Sequence, residues 1–99
     1  MPSLTSKQRA HLRSLAHPLK PILQVGADGV SEPFLVSLDE AFNTRELLKV
    51  KVIDRADMPV KEAAHEIAAG LAEIEVVQTI GHTVVLYRPF PEEPEIRLP

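Results

Sequence analysis

A short strand-like run, Ile22-Leu23-Gln24-Val25, stops against Gly26-Ala27-Asp28-Gly29, and a helix-start signal follows at once. No ordinary element tolerates two glycines and an aspartate in four positions, so the chain must turn there. Ser31 then offers an N-cap, and Pro33 falls in the first turn, where a missing N–H does no harm. Val30 and Leu35 sit where a hydrophobic staple would place them. The pattern reads strand, tight turn, helix. A strand leaving through a helix returns by a right-handed crossover, which commits the chain to a layered α/β arrangement.

The remaining elements follow from period and punctuation. Thr5 and Gln8 form a capping box for a first helix running to about Ala16. Leu4, Leu12, Leu15 and Leu19 share one arc of its wheel, and Arg9 and Arg13 lie on the far side. Pro18 and Pro21 end that helix. In the second, Phe34, Leu35, Leu38, Ala41 and Phe42 give the i, i+1, i+4, i+7, i+8 spacing of a core face. Residues 47–53 alternate, with Leu48, Val50 and Val52 on one side and Lys49 and Lys51 on the other. Asp57-Met58-Pro59 opens a third helix with Val60, Ala64, Ile67 and Leu71 as its apolar face.

Residues 75–80 and 83–88 are two strands joined by Gly81-His82, a pairing suited to a type II′ hairpin. The order αβαβαββ implies one α/β (α+β) domain, a four-stranded mixed sheet with three helices, spanning residues 1–90. Helices two and three are expected on one face, with helix one elsewhere, near the end of the first strand. Residues 91–99 form an acidic, proline-rich tail, expected to be extended and partly mobile.

Composition removes whole classes of function. The chain has no cysteine, so disulfides and thiolate metal sites are out. Its start is polar, and no window reaches the ~18 apolar residues of a membrane span, so a cytoplasmic protein is expected. The four histidines, His11, His17, His65 and His82, lack the i, i+4 spacing of metal ligands. No nucleophile elbow, phosphate-binding P-loop or dinucleotide fingerprint occurs. Neither an enzyme nor a cofactor, metal or small-molecule site is expected.

Charge is polarised. The total is −3, yet the first 25 residues hold Lys7, Arg9, Arg13 and Lys20 and no acid. The other 74 carry seven bases against all fourteen acids. A polyanion would meet the N-terminal surface. The loop Gly26, Ala27, Asp28, Gly29 is the natural grip: glycines at both ends permit positive φ and close approach, and the next helix points its positive dipole end there. G-x-x-G loops of this kind clamp nucleotide backbone in KH-type domains. Asp28 inside such a clamp is repulsive unless it turns away. Lys49 and Lys51 could join that surface, or guard an exposed strand from edge pairing.

Four segments taken together resemble a known family: His17-Pro18-Leu19-Lys20-Pro21, Gly26-Ala27-Asp28-Gly29, Leu48-Lys49-Val50-Lys51-Val52 and Ile80-Gly81-His82-Thr83-Val84-Val85-Leu86-Tyr87-Arg88. They look like the YhbY family, stand-alone bacterial versions of the CRM domain (chloroplast RNA splicing and ribosome maturation), over roughly residues 3 to 89. The resemblance implies a fold similar to the C-terminal domain of translation initiation factor 3. It also implies RNA binding, and association with precursors of the large ribosomal subunit. It carries the clamp onto residues 26–29, with Lys20, Lys49, Lys51 and Arg88 as supporting bases. A monomeric RNA-binding assembly factor is the leading expectation. The alternative is a protein-interaction module that engages a ribosomal protein through its acidic half.

Overall fold

The computed structural model describes residues 4–53 and 58–99. Its elements are α1 (Ser6–Ala16), β1 (Leu23–Val25), α2 (Glu32–Ala41), β2 (Leu47–Val52), α3 (Val60–Gly70), β3 (Glu75–Ile80) and β4 (Thr83–Tyr87). This is the expected order. The four strands make one sheet in the order β1-β2-β4-β3. β1 and β2 run parallel; β2 with β4, and β4 with β3, run antiparallel. The sheet is therefore mixed, and the domain is α+β.

Local signals account for the helix starts. The Thr5 hydroxyl accepts the N–H of Gln8, and the Gln8 side chain accepts the N–H of Thr5, each at 3.1 Å. Ser31 Oγ accepts the N–H of Phe34 at 3.3 Å to open α2. Pro59 precedes α3 with no side-chain cap. The part expected of Asp57 in opening this helix lies outside the described residues. In the hairpin turn Gly81 has φ +56°, while His82 is not among the residues of positive φ. That combination fits type II′ and excludes type I′, which needs positive φ at both central positions.

The alternation along β2 divides the interior into two layers. Leu48, Val50 and Val52 pack with Val25, Val84 and Leu86 beneath Phe34 and Leu38 of α2, Phe42 at its C-cap, and Ala63, Ala64 and Ile67 of α3. On the opposite face Leu47, Val77, Val85 and Tyr87 meet Leu12 and Ala16 of α1. Helices two and three thus share one face, as expected. α1 covers the other, over β2, β3 and β4. The expectation of a place near the end of β1 is corrected. The apolar stripe of α1 also differs from the wheel reading: Leu12 and Ala16 are buried, whereas Leu15 and Leu19 are exposed. Ile22 falls outside β1 and is exposed, although its N–H still donates to Lys49 O at 3.0 Å.

The tail is tied to the body of the domain. Glu46 is buried, and its carboxylate accepts the N–H groups of Phe90, Glu95 and Ile96 at 2.7, 2.8 and 2.7 Å. Ile96 and Leu98 pack against the layer beneath α1, and the Gln8 amide donates to Pro99 O at 3.3 Å. Among the described residues, no helix is long and apolar enough to cross a membrane.

Candidate nucleic-acid interface

The loop 26–29 begins where β1 ends. Gly29 N–H donates to Gly26 O at 3.0 Å, closing a β-turn with Ala27 and Asp28 at its centre. Both central residues keep negative φ, and Gly29 takes φ +71°. Only one of the two glycines is therefore required by conformation. A Cβ on Gly26 would meet nothing within 4 Å, whereas one on Gly29 would stand 3.3 Å from Met58 Cε. Gly26 instead leaves the surface of the turn open to close approach.

The donors of this end differ from expectation. Gly29 N–H is used inside the turn, and Ser31 N–H donates to Gly29 O at 3.0 Å. At the start of α2, Ser31 takes the Phe34 N–H, Pro33 has none, and the Glu32 carboxylate opposes the dipole. The helix terminus is largely self-satisfied. The open donors belong to the turn: the N–H groups of Ala27, Asp28 and Val30 make no hydrogen bond among the described residues. The Asp28 side chain is exposed and unpaired among the described residues.

Strand register decides which bases stand near that turn. Val25 pairs with Val52 and Gln24 with Lys51, so the turn sits at the end of the sheet where β2 stops. The Gly81-His82 turn joins it there, its His82 O accepting Val52 N–H at 2.7 Å. Lys51 is exposed on the α1 face, and its Cα lies about 8 Å from that of Gly26, two residues along and one strand across. Lys49 stands on the same face, half-buried, with Nζ donating to His17 O at 3.4 Å and Leu19 O at 3.0 Å. That ammonium secures the end of α1 and the following connector. It still keeps one hydrogen unused.

α1 leaves part of this face uncovered. Beside it runs a groove of about 470 Å³, lined chiefly by Arg13, His17, Lys49, Gln78, Ile80 and Val85, with no carboxylate in its wall. Arg13 is exposed and has no side-chain partner among the described residues. Composition and spacing gave no hint of Gln78 and Ile80; the exposure of an isoleucine at the end of β3 is the only sign, and it needs the fold.

Other basic residues fall elsewhere. Arg9 was expected on the solvent side, but its Nη1 donates to Val76 O and Val77 O at 2.7 and 2.8 Å, fastening α1 to β3. Arg88 holds Asp39 Oδ1 at 2.7 Å and Asp39 O at 3.2 Å, and its guanidinium lies 4.9 Å from the centre of the Phe42 ring. Its N–H donates to Glu46 O at 2.8 Å, which places it at the end where β2 begins, about 20 Å along the strand from the turn. Lys20 precedes β1 and lines a recess with Arg45 at that same far end. Lys7 is exposed on the first turn of α1. The structure gathers Lys49, Lys51 and Arg13 on the open face of the sheet and holds Lys20 and Arg88 away from the turn. The described residues contain no group of three or more His, Asp or Glu side chains able to hold a metal ion.

This geometry can be set beside known proteins. The CRS1 / YhbY (CRM) domain profile matches residues 4–88. The chain is 42% identical over 96 residues to the "Probable RNA-binding protein YqeI" of Bacillus subtilis, covering 97% of this chain and 99% of that protein. It is 41% identical over 99 residues to an "RNA-binding protein" of Haemophilus influenzae, covering 100% and 98%. Among solved structures, that of the hypothetical protein SAV1595 from Staphylococcus aureus matches with a TM-score of 0.81 and 41% identity, over 97% of this chain and 99% of that one.

Proposed function

The chain belongs to the CRS1 / YhbY (CRM) domain family, and from that premise we propose that it binds RNA through the turn 26–29 and the adjoining basic face, as an assembly factor for the large ribosomal subunit. It is not an enzyme: the relatives that span its whole length are named as RNA-binding proteins. It works as a monomer in the cytoplasm, and the RNA it meets is ribosomal, free or within a precursor particle.

One observation carries the reading. A turn with open N–H donors stands beside Lys51 and Lys49, on a face whose groove has no carboxylate, in a chain of net charge −3. Backbone donors and fixed ammonium groups together hold phosphate without reading sequence. The acidic excess elsewhere suppresses binding to RNA at large, so productive binding is confined to this surface.

The test has two parts. Fluorescence anisotropy with labelled fragments of large-subunit ribosomal RNA should show binding whose log K falls linearly with log salt, by about 0.7 to 0.9 per phosphate contact. Sedimentation of the tagged protein from cell lysate should place it with large-subunit precursors. Migration only among free small proteins would defeat the assembly role, and binding insensitive to salt would defeat the phosphate-grip mechanism.

A further inference from the structure

We infer that the groove between α1 and the uncovered half of the sheet is a second RNA contact, built for a single strand leaving the turn 26–29. This rests on the RNA-binding reading above and adds the form of RNA and the path it takes. The strand would run its phosphates past Lys51, Lys49 and Arg13 and set one unpaired base against Ile80 and Gln78.

The path follows from register. Lys51 stands about 8 Å from Gly26, and Lys49 two strand steps further, about 7 Å on. Beside the two lysines, across β4, the groove opens, with Arg13 and His17 on the α1 wall and, on the sheet wall, Gln78 level with Lys49 and Ile80 level with Lys51. Lys49 is held by two carbonyls, so its charge is already positioned and little side-chain freedom is lost when a phosphate arrives.

The floor decides between single and double strands. Ile80 is 52% exposed at the lip of the groove. Gln78 beside it offers both amide donors and an acceptor. An apolar surface next to an amide suits a base face and a base edge, and both are available only when the base is unpaired. An A-form duplex is too wide for a groove of about 470 Å³, which is of the order of a small-ligand site. No aromatic residue lies in this wall, so the base contact is a weak one and the phosphates carry most of the affinity.

The experiment uses the full chain, an unstructured pyrimidine octaribonucleotide and a duplex of equal length. Arg13→Gln should bind the octamer a few-fold more weakly, with the salt slope smaller by about 0.7. Ile80→Ser should weaken it a few-fold and leave the slope unchanged, the mark of a base contact without charge. Circular dichroism checks that each variant is folded. Wild-type affinity and slope in both folded variants, while Gly26→Ala still weakens binding, would overturn the groove and leave the RNA reading standing. Equal binding of the duplex would overturn the single-strand assignment. Failure of the unaltered protein to bind either probe or any ribosomal RNA fragment would bring down the RNA reading itself.

Discussion

Where β2 begins, the charged groups Glu46, Asp39 and Arg88 are tied to the chain itself; where β2 stops, Asp28 and Lys51 have no partner among the described residues. What separates the two ends is the state of the nearby backbone. At the first end three N–H groups from the tail need an acceptor, and one buried carboxylate serves all three. At the second, the N–H groups of Ala27, Asp28 and Val30 make no hydrogen bond among the described residues. A charge held by the fold is structure, and a charge the fold leaves open is available for a ligand.

The sharpest way to break this contrast is Glu46→Ala. It removes the shared acceptor and frees the tail from α1, so a loss of about 3 kcal/mol is expected, given what hydrogen bonds to a charged group contribute. Urea unfolding at constant m-value measures it. A change under 0.5 kcal/mol would mean the tail contributes nothing to the fold. The glycines come next. Gly29→Ala should cost about 1–2 kcal/mol, because φ +71° is strained for a side chain and Met58 is in the way. Gly26→Ala should leave the unfolding midpoint in place and yet weaken RNA binding, which separates backbone approach from stability.

The two arginines of α1 give a smaller and cleaner contrast. Arg9→Gln should lose about 1 kcal/mol of stability, since a charged donor to two carbonyls is removed, with no change in the salt slope of RNA binding. Arg13→Gln should leave the midpoint alone and reduce that slope by about 0.7. An exchange of these outcomes would refute the division between structural and available charge.

The smallest effect is alkaline. The Tyr87 phenol is pushed above its ordinary value, first by burial and then by the Glu46 carboxylate. The folded chain therefore favours the neutral phenol more than the unfolded chain does. That contribution is complete below about pH 10 and is lost as pH rises above it. Tyr87→Phe should flatten the fall in stability above pH 10, as followed by thermal unfolding in alkaline buffers.

Much of this was legible in the chain. Caps at Thr5 and Ser31, the alternation along β2 and the Gly81-His82 turn are local signals, and the elements form where those signals stand. The long-range pairings were not legible. The wheel of α1 was centred on four leucines, but the buried side is centred on Leu12 and Ala16, a rotation of about 60°. That rotation turns Arg9 toward β3 and leaves Leu15 outside. Small residues such as Ala16 carry little weight in a hydrophobicity pattern, though they let a helix lie close to a sheet. The contacts of the tail carry no local signal either: its glutamates are exposed, and the acceptor for its N–H groups sits at Glu46, more than forty residues back in sequence. The glycine pair of the turn was legible as a motif, but the single positive φ at Gly29 and the self-capped start of α2 depend on the folded backbone.

β3 forms one border of the sheet, and an irregularity between Val76 and Gln78 interrupts its pairing with β4. Two consecutive carbonyls, at Val76 and Val77, point to the one guanidinium of Arg9. Successive carbonyls of a regular strand point to opposite sides, so the irregularity is what lets one side chain occupy both. A strand from a neighbouring molecule seeking to extend the sheet along this border would find those acceptors taken and the line of the backbone bent. Arg9 thereby ties the irregular border of the sheet to α1, an arrangement that disfavours strand addition along it.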